Sequence, residues 1–368
     1  MSSGGLFANP TDIIRFETMP RATGLPESVV YLMSAPLEIT LDNLAAYLAA
    51  SGLIEPDEVI DARELGGGIS NVVLQYSHSR GCAVLKQSRE RIRVADEWLC
   101  DQRRTLHERD CIVLLNEILP AGAVPGLVAS DDANFLFVMT CAPSGAVLWK
   151  DMLFDGLIQP EVAEQTGNLM GRIHRQTAGN IDLERRFTDP ELLEQVRIEP
   201  YYETTSLREP EVSDEIMAGA DAMRSARISL VHGDFVPKNI FWTGRSIFLV
   251  DFEIVHYGHP AYDLASCLNH LLLKAWAMPA HRKALTDAAQ RLLDAHLSAI
   301  RGSALADIEP ETIRQLGCLH LARLSGKSPV EYLGDPAGRA SARSFAFALL
   351  RGEIDSVRQG IRLVADAR

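Results

Sequence analysis

His232-Gly233-Asp234-Phe235-Val236-Pro237-Lys238-Asn239, with Asp251-Phe252-Glu253 twelve residues beyond Asn239, limits this chain more than any other stretch. Between the two segments lie the apolar runs Ile240-Phe241-Trp242 and Ile247-Phe248-Leu249-Val250. Each reads as a short strand, and Thr243-Gly244-Arg245-Ser246 reads as the turn that joins them. A hairpin of that size closes on itself, so its outer ends, Asn239 and Asp251, are expected side by side. Two oxygen ligands, an amide and a carboxylate, beside a second carboxylate, Asp234, suit a Mg²⁺ ion that carries phosphates.

Asp234 precedes Asn239 by five residues, the offset of the kinase pattern H-R-D-x-x-x-x-N. The whole stretch resembles the aminoglycoside phosphotransferase and choline kinase group, small-molecule kinases whose pattern is H-G-D-x-x-x-x-N followed by a D-x-E segment. The resemblance implies an α+β, bilobal, protein-kinase-like fold. Residues 1–34 read as an extension. Residues 35–142 would form a small nucleotide-binding lobe with a mixed sheet and a helix, and residues 143–368 a larger, mainly helical lobe with the catalytic loop and acceptor site. ATP and Mg²⁺ are the implied cofactors. The implied acceptor is a hydroxyl of a small molecule: a sugar, an amino alcohol or an aminoglycoside-like compound.

Hydrophobic periodicity supports this order. Residues 41–53 carry Leu41, Leu44 and Leu48 at helical spacing. Residues 59–87 read as three strands, 94–115 mostly as a helix, and 126–130 and 135–140 as two more strands. A long helix is expected over 161–177. Further helices are expected over 264–276, 281–300, 311–324 and 340–365. At 368 residues the chain is long enough for two lobes.

Each part of phosphoryl transfer has a candidate. Gly66, Gly67, Gly68, Ser70 and Asn71 form a glycine-rich turn between two strands, where backbone N–H groups can approach phosphates. A strand and not a helix follows it, which excludes a dinucleotide fingerprint. Lys86 ends the strand Ala83-Val84-Leu85-Lys86, an analogue of the V-A-I-K strand whose Lys meets the α- and β-phosphates. Glu108 is the chosen carboxylate partner for Lys86, and Glu97 the runner-up. Met139, Thr140 and Cys141 stand where the group's hinge reads the adenine edge through its backbone. The resemblance makes Asp234 the catalytic base that accepts or orients the acceptor's proton, and Asn239 and Asp251 the Mg²⁺ ligands. It makes His232 and Asp263 braces of the catalytic loop. Glu253 is a third metal candidate, because methylthioribose kinases carry an acid there.

A narrower likeness to methylthioribose kinases appears in Lys86-Gln87 followed by Arg91 and Arg93. Against it, Asn239 stands where those kinases usually have a small hydroxyl residue, and only Arg323 represents their paired arginines. Methylthioribose kinase and a nucleotide-binding pseudokinase or scaffold are the alternative readings. The pseudokinase predicts loss of Lys86, Asp234, Asn239 or Asp251, and all four are present. Only eleven residues separate Asp251 from Asp263, too few for the platform of a protein substrate.

The net charge of −13 argues against a nucleic-acid partner. It also tilts the expected acceptor towards a cationic or neutral one, although total charge says little of a single pocket. No apolar run is long enough to span a bilayer, and residues 1–10 lack the pattern of a signal peptide. Six scattered cysteines (82, 100, 111, 141, 267 and 318) read as free thiols in a reducing compartment, so a cytoplasmic enzyme is expected. A homodimer is compatible with this reading.

Overall fold

The computed structural model describes residues 37–66, 71–89 and 101–367, together with the backbone of residues 14 and 15. It divides into two compact units, residues 1–113 with 125–141, and residues 114–124 with 142–368.

The first unit is built on a six-stranded sheet. Its elements are β1 (Ile14–Arg15), α1 (Leu41–Ala50), β2 (Asp61–Glu64), β3 (Asn71–His78), β4 (Gly81–Ser88), α2 (Arg104–Ile118, which continues into the second unit), β5 (Leu127–Asp131) and β6 (Leu136–Thr140). The strand order is β1-β5-β6-β4-β3-β2. β1 pairs with β5 in parallel and the other pairs are antiparallel, so the sheet is mixed. β1 lies in a stretch that sequence assigns to an extension. Two residues hold too little periodicity to show as a strand.

Alternation explains which face of the sheet is covered. Val72, Leu74 and Tyr76 of β3, Ala83 and Leu85 of β4, and Leu136 and Val138 of β6 point to one side and pack with Leu44 and Leu48 of α1. Gln87 pins this layer. Its Oε1 accepts from Ile39 N at 2.9 Å, and its Nε2 donates to Leu37 O at 2.7 Å and Asn134 O at 2.9 Å. The Gln of the Lys-Gln pair is therefore a structural clasp. Arg91, Arg93 and Glu97 lie outside the described residues.

Two cysteines depart from the free-thiol expectation. β4 and β6 pair with Ala83 opposite Thr140. Cys82 thus faces Cys141 across the ladder, and the two form a disulfide with a Cα–Cα distance of 5.6 Å. Their separation of 59 residues along the chain hides the pairing from sequence. Cys111, Cys267 and Cys318 are buried, and Cys267 and Cys318 are free thiols. Cross-linking a loop of that length restrains the unfolded chain by up to about 4 kcal/mol. Cys82→Ser is expected to lower stability by about 2–4 kcal/mol in urea melts without reductant, and the difference should vanish in dithiothreitol. Equal stability of the two proteins without reductant would contradict the pairing.

The second unit is mainly helical. It begins with β7 (Val147–Leu148), α3 (Trp149–Phe154), α4 (Pro160–Thr177), α5 (Ile181–Phe187) and α6 (Pro190–Leu193). A π-helical stretch, Glu194–Glu203, runs into α7 (Thr204–Arg208), and α8 (Ser213–Ser225) follows. Four short strands come next: β8 (Ser229–Val231), β9 (Ile240–Trp242), β10 (Ile247–Leu249) and β11 (His256–Gly258). The chain ends in α9 (Ala261–Ala277), α10 (Arg282–Ile300), α11 (Glu309–Ser325), α12 (Pro336–Leu350) and α13 (Val357–Asp366). The single helix expected over 340–365 is two, because Gly352 takes φ of +70° and ends the first. The helix expected over 94–115 is described only from Arg104.

α4 and α10 approach closely because glycines face α10. A Cβ on Gly167 would lie 2.3 Å from Leu292 O, and one on Gly171 2.7 Å from Ala299 Cβ. α9 is buried on nearly every side, which explains its almost uninterrupted apolar sequence. Among the described residues, no helix is long and apolar enough to cross a membrane.

Candidate active site

β9 and β10 form the expected hairpin, with Ile247 opposite Trp242 and Leu249 opposite Ile240. Val250 N donates to Asn239 O at 3.0 Å, so the ladder runs to Asn239 and Asp251 follows its last bond. Asp251 has φ of +72°, a left-handed conformation that costs a non-glycine residue energy and is found where function fixes the backbone.

The loop of residues 232–239 is held from below by Asp263, in the first turn of α9. Its Oδ2 accepts from His232 N at 2.8 Å, and its Oδ1 accepts from Gly233 N at 3.0 Å. His174 of α4 reaches the same carboxylate through Nε2 at 3.2 Å, and its Nδ1 lies 3.0 Å from His296 Nε2. A donating His174 Nε2 makes Nδ1 the acceptor, and His296 then donates. Burial alone would raise the Asp263 pKa, but the hydrogen bond from His174 and the charges around it hold it below the usual carboxylate range. Gly233 has φ of +79°, and a Cβ there would lie 2.4 Å from Ile254 O, so only glycine fits.

His232 stiffens the loop from within. Asp234 N donates to its Nδ1 at 3.2 Å, which leaves Nε2–H to donate to Val250 O at 3.1 Å. Burial holds this imidazole's pKa below its ordinary value, so it is neutral. One ring therefore ties the 232–239 loop to the end of β10.

Asp234 sits between two cations. Lys238 Nζ lies 2.7 Å from Oδ2, and Arg197 Nη2 lies 3.3 Å from Oδ1. Arg197 also donates through Nε to Gly233 O at 2.8 Å. Asn239 Nδ2 donates to Asp234 O at 2.9 Å and to Oδ2 at 3.0 Å. With its amide nitrogen engaged, Asn239 has its side-chain carbonyl as the atom that can face a cation. Burial would push the Asp234 carboxyl up, but Lys238 and Arg197 together outweigh it and hold the pKa far below the usual range. Glu253 is close enough to Arg197 for their charges to interact.

Among the described residues, no three His, Cys, Asp or Glu side chains converge on one metal position. A divalent ion at Asn239 and Asp251 would be held by few protein oxygens and complete its shell with phosphates and water, the usual state of Mg²⁺. The donor set, an amide oxygen and a carboxylate, fits that hard cation.

In the first unit, Lys86 and Glu108 pair. Lys86 Nζ lies 2.9 Å from Oε1 and 2.7 Å from Oε2, and both side chains are buried. Asn71 opens β3, buried and opposite Ser88, while Gly66 is exposed in the turn before it. Gly67, Gly68 and Ser70 lie outside the described residues. Met139 is buried in the ladder. Thr140 is clasped to Gly126, donating N–H to its carbonyl and accepting its N–H on Oγ1, each at 2.9 Å.

Sequence reading gave no role to Arg197 or Lys238. Lys238 has a signal, since it stands beside Asn239 within the motif. Arg197 has none: it comes from the π-helical stretch, interrupted by Pro200, where 3.6-residue periodicity fails. The segment from Asp251 to Asp263 is occupied by a turn and by β11, which pairs with β8.

Residues 61–302 match the model of the phosphotransferase enzyme family. The methylthioribose kinase of Erwinia tasmaniensis is 26% identical over an alignment of 260 positions, and the match covers 62% of this chain and 64% of that enzyme. The chain thus spans a little under two thirds of that relative's length. The methylthioribose kinase of Cronobacter sakazakii is 24% identical over an alignment of 295 positions, and the match covers 71% of this chain and 73% of that one. Among solved structures, amicoumacin kinase in complex with AMP-PNP, Ca²⁺ and Ami superposes with a TM-score of 0.55 at 18% identity, over 86% of this chain and 96% of that one. Choline kinase from Cryptosporidium parvum gives 0.53 at 13% identity, over 87% and 97%. These likenesses show the protein-kinase-like α+β fold that the sequence leads one to expect. The family model runs from the start of β2 to just past α10, more than half of the chain, and the chain belongs to the phosphotransferase enzyme family.

Proposed function

We propose that this protein is an ATP-dependent phosphotransferase that moves the γ-phosphate to a hydroxyl of a small molecule. The observation that carries the reading is Asp234: an ionised carboxylate fixed by Asn239, Lys238 and Arg197, on a loop whose amides are held by Asp263. Bound Mg²⁺ would neutralise the phosphate charge that develops in transfer. Asn239 and Asp251 are the residues that would hold it. Glu253 sits within reach of Arg197's charge, which supports a part in the ion-pair network around Asp234.

In the other unit, Lys86 would meet the nucleotide phosphates, with Glu108 fixing its ammonium. Gly66 to Asn71 would supply backbone N–H groups, and Met139 to Cys141 the backbone that meets adenine. Asp234 would orient the acceptor hydroxyl. A pKa held so low makes it a weak base in the ground state, which suits a loose transition state in which the proton leaves late.

The test is phosphate transfer followed by ³¹P NMR, with ATP, Mg²⁺ and a panel of sugars, amino alcohols, aminoglycosides and hydroxy acids. Acceptor-dependent transfer that stops in EDTA is expected. Lys86→Met should raise the KM for ATP about tenfold or more, since a charge-assisted contact is worth about 1.5–3 kcal/mol. Full activity in EDTA, or an unchanged Lys86→Met variant, would overturn the assignment. ATP hydrolysis that no acceptor ever raises would favour the pseudokinase.

A further inference from the structure

Next to Asp234 lies a second group of polar side chains that the transfer chemistry does not use. Tyr201, in the π-helical stretch, connects the two. Its ring lies 5.1 Å from the Arg197 guanidinium, and its hydroxyl accepts from Arg323 Nη1 at 3.3 Å. Arg323, near the end of α11, also donates to Ser328 Oγ at 2.9 Å, and its buried Nε has no partner.

α9 brings a further cation to the same region. Asp263, His270 and Lys274 follow one another on it at spacings of seven and four, which is one helical stripe. Lys274 is 1% exposed. Its Nζ lies 5.0 Å from the Phe154 ring centre and 4.9 Å from that of Tyr332, and it donates at 3.5 Å to His270 O. The Tyr332 hydroxyl is buried without a partner. Burial, and then the charge of Arg323, pull the Lys274 pKa down to about 7. An anion beside it would restore the charge.

Arg197 and Lys238 have Asp234 as counter-ion. Arg224 has Glu194, and Arg343 has Glu209. Lys274 and Arg323 differ: among the described residues, neither has an Asp or Glu within ion-pair distance. Burying cations without a counter-charge is costly, and the cost falls when a ligand supplies one.

We propose that Arg323 and Lys274 bind an anionic group on the phosphate acceptor, so that the acceptor is a small hydroxylated acid bearing a carboxylate or a phosphate. This rests on the phosphotransferase reading and narrows its substrate class. A chain of contacts, from Arg323 to the Tyr201 hydroxyl, from the Tyr201 ring to Arg197 and from Arg197 to Asp234, links the anion site to the reacting end. In the transfer, the bond between the γ-phosphorus and the ADP oxygen breaks and a bond from that phosphorus to the acceptor oxygen forms. The hydroxyl proton passes to Asp234 and then to solvent. Such an acceptor differs from the cationic or neutral one that the chain's total charge suggests.

The experiment compares matched compounds: gluconate, glucose 6-phosphate, glucose and glucosamine, and glycerate, glycerol and serinol. Each is assayed for transfer from ATP–Mg²⁺ and, by calorimetry, for binding in the presence of AMP-PNP and Mg²⁺. At least one acid should be bound or turned over tenfold or more better than its neutral and cationic counterparts. Preference for gluconate and glycerate identifies a carboxylate, and preference for glucose 6-phosphate a phosphate. Arg323→Gln should reduce that preference 10- to 100-fold while leaving the KM for ATP within twofold, and Lys274→Met should act the same way. The proposal fails if no acid outranks its neutral counterpart in either assay, or if both variants keep the preference. Either failure, with Mg²⁺-dependent ATP binding intact, leaves the phosphotransferase reading standing. Absence of that binding in the wild type would remove both.

Discussion

Asp234→Asn is expected to lower kcat by about 10²-fold or more, because an amide cannot take the acceptor's proton. The variant keeps the shape of the side chain and its contact with Asn239. It loses the negative charge that Lys238 and Arg197 flank, at 2.7 and 3.3 Å. Stability should therefore fall as well, with a pH dependence whose sign is fixed. The folded pKa of Asp234 is depressed, so its contribution is present above its unfolded value near 4 and is lost as pH falls below that. Wild type and variant should differ in unfolding free energy at neutral pH and converge in acid. By the same reasoning, no acid limb of the kcat profile above about pH 5 should come from Asp234. An unchanged kcat, measured with an acceptor in hand, would remove its catalytic role.

Asp251→Ala should abolish measurable turnover, a loss on the order of 10³-fold or more, because a Mg²⁺ ion held there would lose its carboxylate ligand. The fold should survive. Asp251 carries a left-handed backbone at φ of +72°, which Asp tolerates better than Ala, so far-UV circular dichroism should be preserved while Tm falls slightly. Asp251→Gly is the control, since glycine accepts that conformation without strain and still removes the ligand. Activity retained in both variants would show that the metal, if one is used, is held elsewhere.

The sequence made much of the site legible because its central parts are local. Asp234, Asn239 and Asp251 fall within eighteen residues, and a two-strand hairpin with a short turn leaves little freedom in how they meet. Lys86 stands out by the apolar run Ala83-Val84-Leu85 before it, although β4 continues to Ser88. Parts assembled over long separations were not legible. Arg197 reaches Asp234 from a π-helical stretch, and Cys82 meets Cys141 only through the register of β4 with β6. The contacts around Lys274 and Arg323 draw on α3, the π-helical stretch, α9, α11 and the segment before α12. No spacing rule connects Phe154, Tyr201, Lys274, Arg323 and Tyr332.

The central claim is a division of labour, with Asp234 serving the acceptor oxygen and Asp251 the metal on the nucleotide. Its most direct test is calorimetric titration of ATP with and without Mg²⁺ into wild type, Asp234→Asn and Asp251→Ala. Asp234→Asn should bind ATP–Mg²⁺ within about twofold of wild type, while Asp251→Ala should lose the part of the affinity that Mg²⁺ adds, about tenfold or more. Weakened nucleotide binding in Asp234→Asn beside unaltered Mg²⁺-dependent binding in Asp251→Ala would contradict the account.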